Sequence, residues 1–176
     1  MAKWLGSMPS YQDYLVFYDH ADIETGAHPT VIHGFYGGRP TNANRLAEVD
    51  VMVATPSKEV VLVIEIEESQ TTPKKLLGDV LAILMCNHFA ARAAAATFAG
   101  EQKVFSVTDQ TQLIIASVAA DHGSGQKKIN EVIVPRLQQM VSLPDGIRPS
   151  NVSLLLRPGV GTAIESLKEM VRQLFQ

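Results

Sequence analysis

Four carboxylates lie on two short apolar segments in the first half of the chain. Glu48 and Asp50 belong to the segment LAEVDVMVA, and Glu65 and Glu67 end the segment VVLVIEIE. Side chains alternate between the two faces of a strand, so each pair is predicted to point the same way. Like charges on one face raise one another's pKa unless a cation lies between them. The spacing therefore predicts a site for a divalent metal ion.

Oxygen donors at this site suit Mg²⁺, with Mn²⁺ as a possible substitute. Hard cations bind carboxylates and keep several waters, so Asp50 and Glu65 together with the main-chain carbonyl of Ile66 suffice. Lys74 and Lys75 follow at the start of a predicted helix, and a helix N-terminus attracts phosphate. A metal that activates water, placed beside this cationic helix start, indicates phosphodiester hydrolysis.

The apolar periodicity predicts nine elements in the order α-β-β-β-α-β-α-β-α. The predicted helices are Ser10–Asp19, Lys74–Phe98, Lys127–Met140 with a kink or a restart at Pro135, and Ala163–Phe175. The predicted strands are Val31–Tyr36, Leu46–Ala54, Val60–Glu67, Gln112–Ala119 and Asn151–Arg157. The turn at residues 56–58 is too short for a parallel crossover, so the second and third strands form an antiparallel hairpin. This order predicts an α/β sandwich with a mixed central sheet.

Length and composition set the broad class. The 176 residues fit a single domain, residues 1–176, and the net charge of −3 excludes a protein that coats nucleic acid by overall positive charge. One cysteine allows no internal disulfide, which suits a reducing cytoplasm. The first ten residues lack the apolar core of a secretory signal, and no segment is apolar enough to span a bilayer. We therefore expect a cytoplasmic protein with no membrane partner.

One acidic residue near the end of a strand, a short turn, and an apolar strand ending in Glu-x-Glu resemble the PD-(D/E)XK nuclease superfamily. The order predicted for residues 10–119 is similar to the core of that superfamily, a restriction-endonuclease-like three-layer sandwich. The resemblance implies that Asp50 and Glu65 hold Mg²⁺. It also puts Glu67 at the position where most members have a lysine that orients or deprotonates the attacking water.

The presence of a glutamate at position 67, where most members have a lysine, leaves two interpretations open. Some restriction endonucleases carry Glu-x-Glu here, with the second glutamate as general base or further metal ligand. In other branches a lysine of the following helix takes over the role, which would fall to Lys74 or Lys75. The resemblance also implies that Gln70 faces the site. Candidate phosphate contacts are Arg39 in the Gly-rich loop and Arg45 before the acidic strand.

The sequence thus predicts a Mg²⁺-dependent endonuclease that hydrolyses DNA phosphodiester bonds. One alternative is a catalytically inactive nuclease-fold protein that binds nucleic acid or supports assembly, and another is a hydrolase of a smaller phosphate substrate. DNA is the expected partner, and cleavage of both strands of a duplex would favour a homodimer. Zinc-protease, phosphate-loop and serine-hydrolase motifs are all missing from the sequence.

Overall fold

The structure is a computed structural model that describes residue 4 and residues 13–19, 30–67, 72–93, 103–118 and 127–175. Its strands are β1 Leu15–Tyr18, β2 Thr30–Phe35, β3 Arg45–Glu48, β4 Val51–Ala54, β5 Glu59–Glu67, β6 His88–Ala93, β7 Lys103–Val118 and β8 Val152–Arg157. Its helices are α1 Pro73–Leu84, α2 Val134–Gln138 and α3 Val160–Leu174. A π-helical turn, Ile129–Ile133, precedes α2, and a 3₁₀ turn, Pro149–Asn151, precedes β8.

The eight described strands form one mixed sheet in the order β1-β4-β5-β7-β6-β2-β3, with β8 paired to β7 off this path. The pairs β5–β7 and β7–β8 are parallel, and the other described pairs are antiparallel. The long strand β7 pairs with β6 along its first half and with β8 along its second half. It therefore joins the two parts of the sheet.

The sheet curls back on itself at the junction between β3 and β4. These strands lie far apart in the pairing order, yet only Val49 and Asp50 separate them in the chain. The N–H of Val49 still donates to Ile32 O of β2 at 3.0 Å, whereas Asp50 O accepts from Asp19 N, just after β1, at 2.8 Å. The backbone therefore bonds to β2 as far as Val49 and to the β1 side of the sheet from Asp50 onward.

Apolar side chains fill both faces of the sheet. On β5, Val63 packs in the core beneath α1, while Leu62 and Ile64 pack in a second core with Leu167 of α3. This alternation is the period of two that a strand covered on both faces requires. The prediction of an α/β fold with a central mixed sheet is therefore confirmed.

The first predicted helix is wrong in its described part. Residues 15–18 are strand β1, which pairs antiparallel with β4 from Leu15↔Ala54 to Tyr18↔Val51. Phe17 packs into the core beneath α1, and Val16 and Tyr18 pack on the opposite side. Tertiary pairing along the free edge of β4 overrides the helix-like spacing of the aromatic residues. Residues 10–12 of the predicted helix lie outside the described residues.

The second predicted helix is too long. Helix α1 ends at Leu84, and residues 88–93, with the sequence HFAARA, form strand β6 between β2 and β7. Alanine-rich sequence favours a helix by propensity, but β6 gives both neighbouring strands a hydrogen-bonding partner. His88, expected on the helix, is instead buried and stacks on Phe35. Residues 94–98 lie outside the described residues.

The remaining elements agree with the prediction apart from their bounds. The predicted strand Leu46–Ala54 is divided into β3 and β4, and Gln112–Ala119 is the second half of β7 as far as Val118. Pro135 disturbs its helix as expected, because a π-helical turn lies immediately before it. In the described part of the chain, no helix is long and apolar enough to cross a membrane.

Candidate functional site

Asp50 and Glu65 are joined across the hairpin of β4 and β5. The Ile66 N–H donates to Asp50 Oδ2 at 2.6 Å, and the Asp50 backbone forms a hydrogen bond with the Glu65 carboxyl. Both carboxylates are half-buried. The reciprocal bonds hold the two predicted metal ligands side by side at the end of β5. The Ile66 carbonyl, the third predicted ligand, belongs to the same strand end.

The pKa of Glu65 is raised to about 8, chiefly by burial and then by the nearby charges of Asp50, Asp79 and Glu67, in that order. The hydrogen bond from Asp50 acts in the opposite direction but does not offset these effects. Without a cation, Glu65 therefore retains its proton at neutral pH. Repulsion among the carboxylates, which their spacing predicts, contributes to this shift, and burial is its largest cause.

Glu67 is paired with Lys75 from the first turn of α1. Lys75 Nζ donates to Glu67 Oε2, and this contact is the main cause that raises the pKa of the lysine. Thr72 caps the helix by accepting a hydrogen bond from Lys75 N at 3.2 Å, with Pro73 at the next position. Of the two predicted lysines, Lys75 thus reaches the acidic residues. Lys74 is exposed and makes no ion pair with another described residue.

Asp79 is a further acid that the sequence analysis missed. It lies one helical turn after Lys75 and is half-buried. Burial raises the pKa of Asp79, the charge of Lys75 lowers it, and the charge of Glu67 raises it. Asp79 therefore lies close enough to the strand carboxylates to interact with them electrostatically. The sequence contains a signal for Asp79, because Lys75 and Asp79 are four residues apart on a helix and therefore share a face. Asp79 therefore replaces Glu48 as the fourth carboxylate of the cluster.

Glu48 and Arg45 belong to a different group of side chains. Nε2 of the buried His33 lies 3.0 Å from Glu48 Oε2 and 3.1 Å from Arg45 Nη1. One ring nitrogen cannot donate to the carboxylate and accept from the guanidinium at the same time. Burial is the main cause that lowers the pKa of His33, although its hydrogen bond to Glu48 acts against it. The prediction that Glu48 and Asp50 share surroundings is wrong, because the chain changes neighbours between them.

The other predicted nucleic-acid contacts are less defined. Arg39 is exposed in the loop after β2, and its carbonyl accepts a hydrogen bond from Asn44 Nδ2 at 3.3 Å. Gln70 lies outside the described residues. Of the two described arginines, Arg39 has an exposed side chain that no described contact engages, whereas Arg45 contacts His33.

A small cavity and a larger groove border described residues. A cavity of about 10 Å³ between the end of β5, the end of β7 and α3 has room for roughly one water molecule. A groove of about 410 Å³ lies at the bend of β7, beside the Asp109–Arg148 ion pair, whose atoms are 2.5 Å apart. Glu67 of the acidic cluster lines the first cavity together with Ser117, whereas Asp50, Glu65 and Asp79 are not among the lining residues of either cavity.

The donor set fits a hard divalent cation. Among the described residues, no group of three or more His, Cys, Asp or Glu side chains is arranged to hold a metal directly. Mg²⁺ needs only one or two carboxylates, because water and substrate supply the remaining oxygens. A cation beside Asp50 and Glu65 would also offset the repulsion that raises the pKa of Glu65.

Comparison with protein-family models, curated proteins and solved structures gives no match for this chain. What the site does is therefore inferred from its own residues.

Proposed function

We propose that this protein is a Mg²⁺-dependent nuclease of the PD-(D/E)XK type that hydrolyses phosphodiester bonds of DNA. The observation that carries the proposal is the placement of Asp50, Glu65 and Glu67 together at the end of β5, where Ile66 N–H donates to Asp50 Oδ2 and burial with the neighbouring carboxylates raises the pKa of Glu65. Active sites commonly perturb pKa values by burial and by neighbouring like charges, so a half-buried carboxyl of this kind is a candidate functional group. A divalent cation would offset the cost of ionising Glu65.

Each side chain has a role that its contacts support. Asp50 and Glu65 hold the cation, with the Ile66 carbonyl beside them. When bound, the cation would lower the pKa of water and stabilise charge on the phosphoryl oxygens. Glu67 accepts the proton of the attacking water. Lys75 stays protonated beside Glu67, so it acts as a positive charge for phosphate and not as a base.

The arrangement of elements also favours this family. From β2 to β7 the chain contains a hairpin, a helix and a strand in an order similar to the one that the resemblance implies. It differs from that order in having β1 in place of the first helix, a strand divided into β3 and β4, and an inserted β6. The acidic hairpin strand β5 lies inside the sheet and pairs parallel with β7 beyond α1. Helices cover both faces, as in the restriction-endonuclease-like three-layer sandwich.

A second candidate is a nuclease-fold protein that binds nucleic acid without cleaving it. The observation in its favour is that Asp50 Oδ2 and Glu67 Oε2 are already engaged, by Ile66 N–H and Lys75. A binding protein would retain the cationic helix start and lose affinity steeply with salt.

Cleavage of single-stranded, duplex and branched DNA tests the proposal. We expect cleavage in Mg²⁺ or Mn²⁺ and none in EDTA. Replacing Asp50 by asparagine keeps an acceptor for Ile66 N–H but removes the charge, so cleavage should fall by more than about 100-fold.

Asp145→Asn is the matched control, since Asp145 is exposed on a loop at φ 59°, which asparagine tolerates. Cleavage that survives EDTA or Asp50→Asn would contradict the proposal. Salt-sensitive DNA binding without any cleavage would favour the binding protein.

The two lysines should differ in their effect. Lys75→Gln removes the cation that contacts Glu67, so the cleavage rate should fall by about 10- to 100-fold. Lys74→Gln removes the same charge from the same helical turn without that contact, and its rate should stay within about threefold of wild type. Single-turnover rates at fixed salt make the comparison, and equal losses would show that only the general charge of α1 matters.

A further inference from the structure

Ser117 is a buried polar residue near the C-terminal end of β7. Its side chain is 1% exposed, and its Oγ has no hydrogen-bond partner in the described part of the chain. A buried hydroxyl without a partner destabilises a fold, and alanine would fill the same position without this penalty. Such a group needs an explanation, and an ordered water or ligand is the usual one.

The sheet register brings Ser117 to the acidic cluster. In the parallel pairing of β5 and β7, Glu65 lies beside Ile115, Ile66 beside Ala116, and Glu67 beside Ser117. Ile115 packs in the core beneath α1, while Ala116 packs in the core with α3. Alternation along β7 therefore turns Ser117 toward the α1 face, where the neighbouring strand carries Glu67.

We infer that Ser117 is a further residue of this site, whose hydroxyl binds the attacking water and holds it against Glu67. The inference rests on the proposed nuclease function. The serine oxygen accepts one O–H of the water and Glu67 accepts the other, which leaves an oxygen lone pair directed at phosphorus. The new bond joins water oxygen to phosphorus, the bond from phosphorus to the leaving oxygen breaks, one water proton passes to Glu67, and solvent protonates the leaving oxygen.

The test compares wild type, Ser117→Ala, Glu67→Gln and the double variant on the DNA that wild type cleaves. Ser117→Ala should lower kcat by about 10- to 100-fold and leave KM within about twofold, because the hydroxyl contacts water and not DNA. In the Glu67→Gln background, Ser117→Ala should lower kcat almost no further, since both groups act on one water. Ser106→Ala, an exposed serine on the same strand, is the matched control and should behave as wild type.

A second measurement does not depend on activity. Because Ser117 Oγ has no partner within the described protein, Ser117→Ala should unfold at a urea concentration no lower than wild type. A lower midpoint would identify an internal partner and overturn the inference.

A kcat equal to that of Ser106→Ala would also overturn it, while leaving the nuclease proposal intact. If wild type cleaves no DNA in Mg²⁺ or Mn²⁺, the proposed function and this inference fail together.

Discussion

In the absence of divalent cations, the free energy of unfolding is expected to fall as the pH rises from about 5 to about 8. In the folded protein the pKa of Glu65 is raised to about 8 from its ordinary value of 4.5. Between these values the folded state binds a proton that the unfolded state has released, so stability falls with pH by up to roughly 1 kcal/mol per unit. Below the lower value this stabilising contribution is fully present, and above the upper value it is lost.

Urea titrations at several pH values in EDTA measure this effect. Glu65→Gln mimics the protonated carboxyl, so its stability should stay flatter over the same range and exceed that of wild type near pH 8. Glu59→Gln makes the same change at the exposed start of β5 and should keep the wild-type slope. Other titrating groups, such as His33 and His88, cancel in the difference between wild type and Glu65→Gln. Parallel curves for these two proteins would contradict the assignment.

Cation binding is expected to release about one proton at pH 7. Glu65 must lose its proton before its carboxylate can bind a metal, and at pH 7 a group with a pKa of about 8 is mostly protonated. The apparent affinity for Mn²⁺ should therefore rise about tenfold per pH unit and level off above about pH 8.

Calorimetry in two buffers with different ionisation enthalpies counts the released protons directly. Glu65→Gln should lose both the proton release and most of the affinity, while Glu59→Gln should keep both. Asp50→Asn should bind the cation weakly but leave the pH dependence of stability largely in place, because burial is the largest cause of the raised pKa of Glu65. Binding at pH 7 without proton release would exclude Glu65 as a ligand.

Local pattern was enough to predict the parts of the site that are close in sequence. Asp50, Glu65 and Glu67 follow from strand alternation within one hairpin, and the pair Lys74 and Lys75 follows from a helix that starts six residues after β5 ends. Local pattern does not tell which of the two lysines faces the acids. Asp79 required only one more step, the helical spacing from Lys75. Ser117 could not be found this way, because its position depends on the register between β5 and β7, which no local pattern specifies.

The errors in the predicted secondary structure have the same origin. The segment HFAARA and the residues before Asp19 have sequences that suit a helix, and they became strands because neighbouring strands needed partners. Glu48 was grouped with Asp50 because they are two residues apart. Glu48, however, lies on β3, which pairs with β2, whereas Asp50 directly precedes β4, which pairs with β5. Pairing between distant segments decided each of these cases.

The parallel pairing of β5 with β7 also bears on the order in which the protein assembles. Residues 50–79 contain the hairpin, the first turn of α1 and all four acids, so these contacts close short loops and are kinetically accessible early in folding. The pairing of β7 with β5 joins segments that α1 and β6 separate in the chain, so it is a contact of high sequence separation. Ser117 therefore stands beside Glu67 only where the sheet is complete, because the pairing of β5 with β7 brings the two residues together.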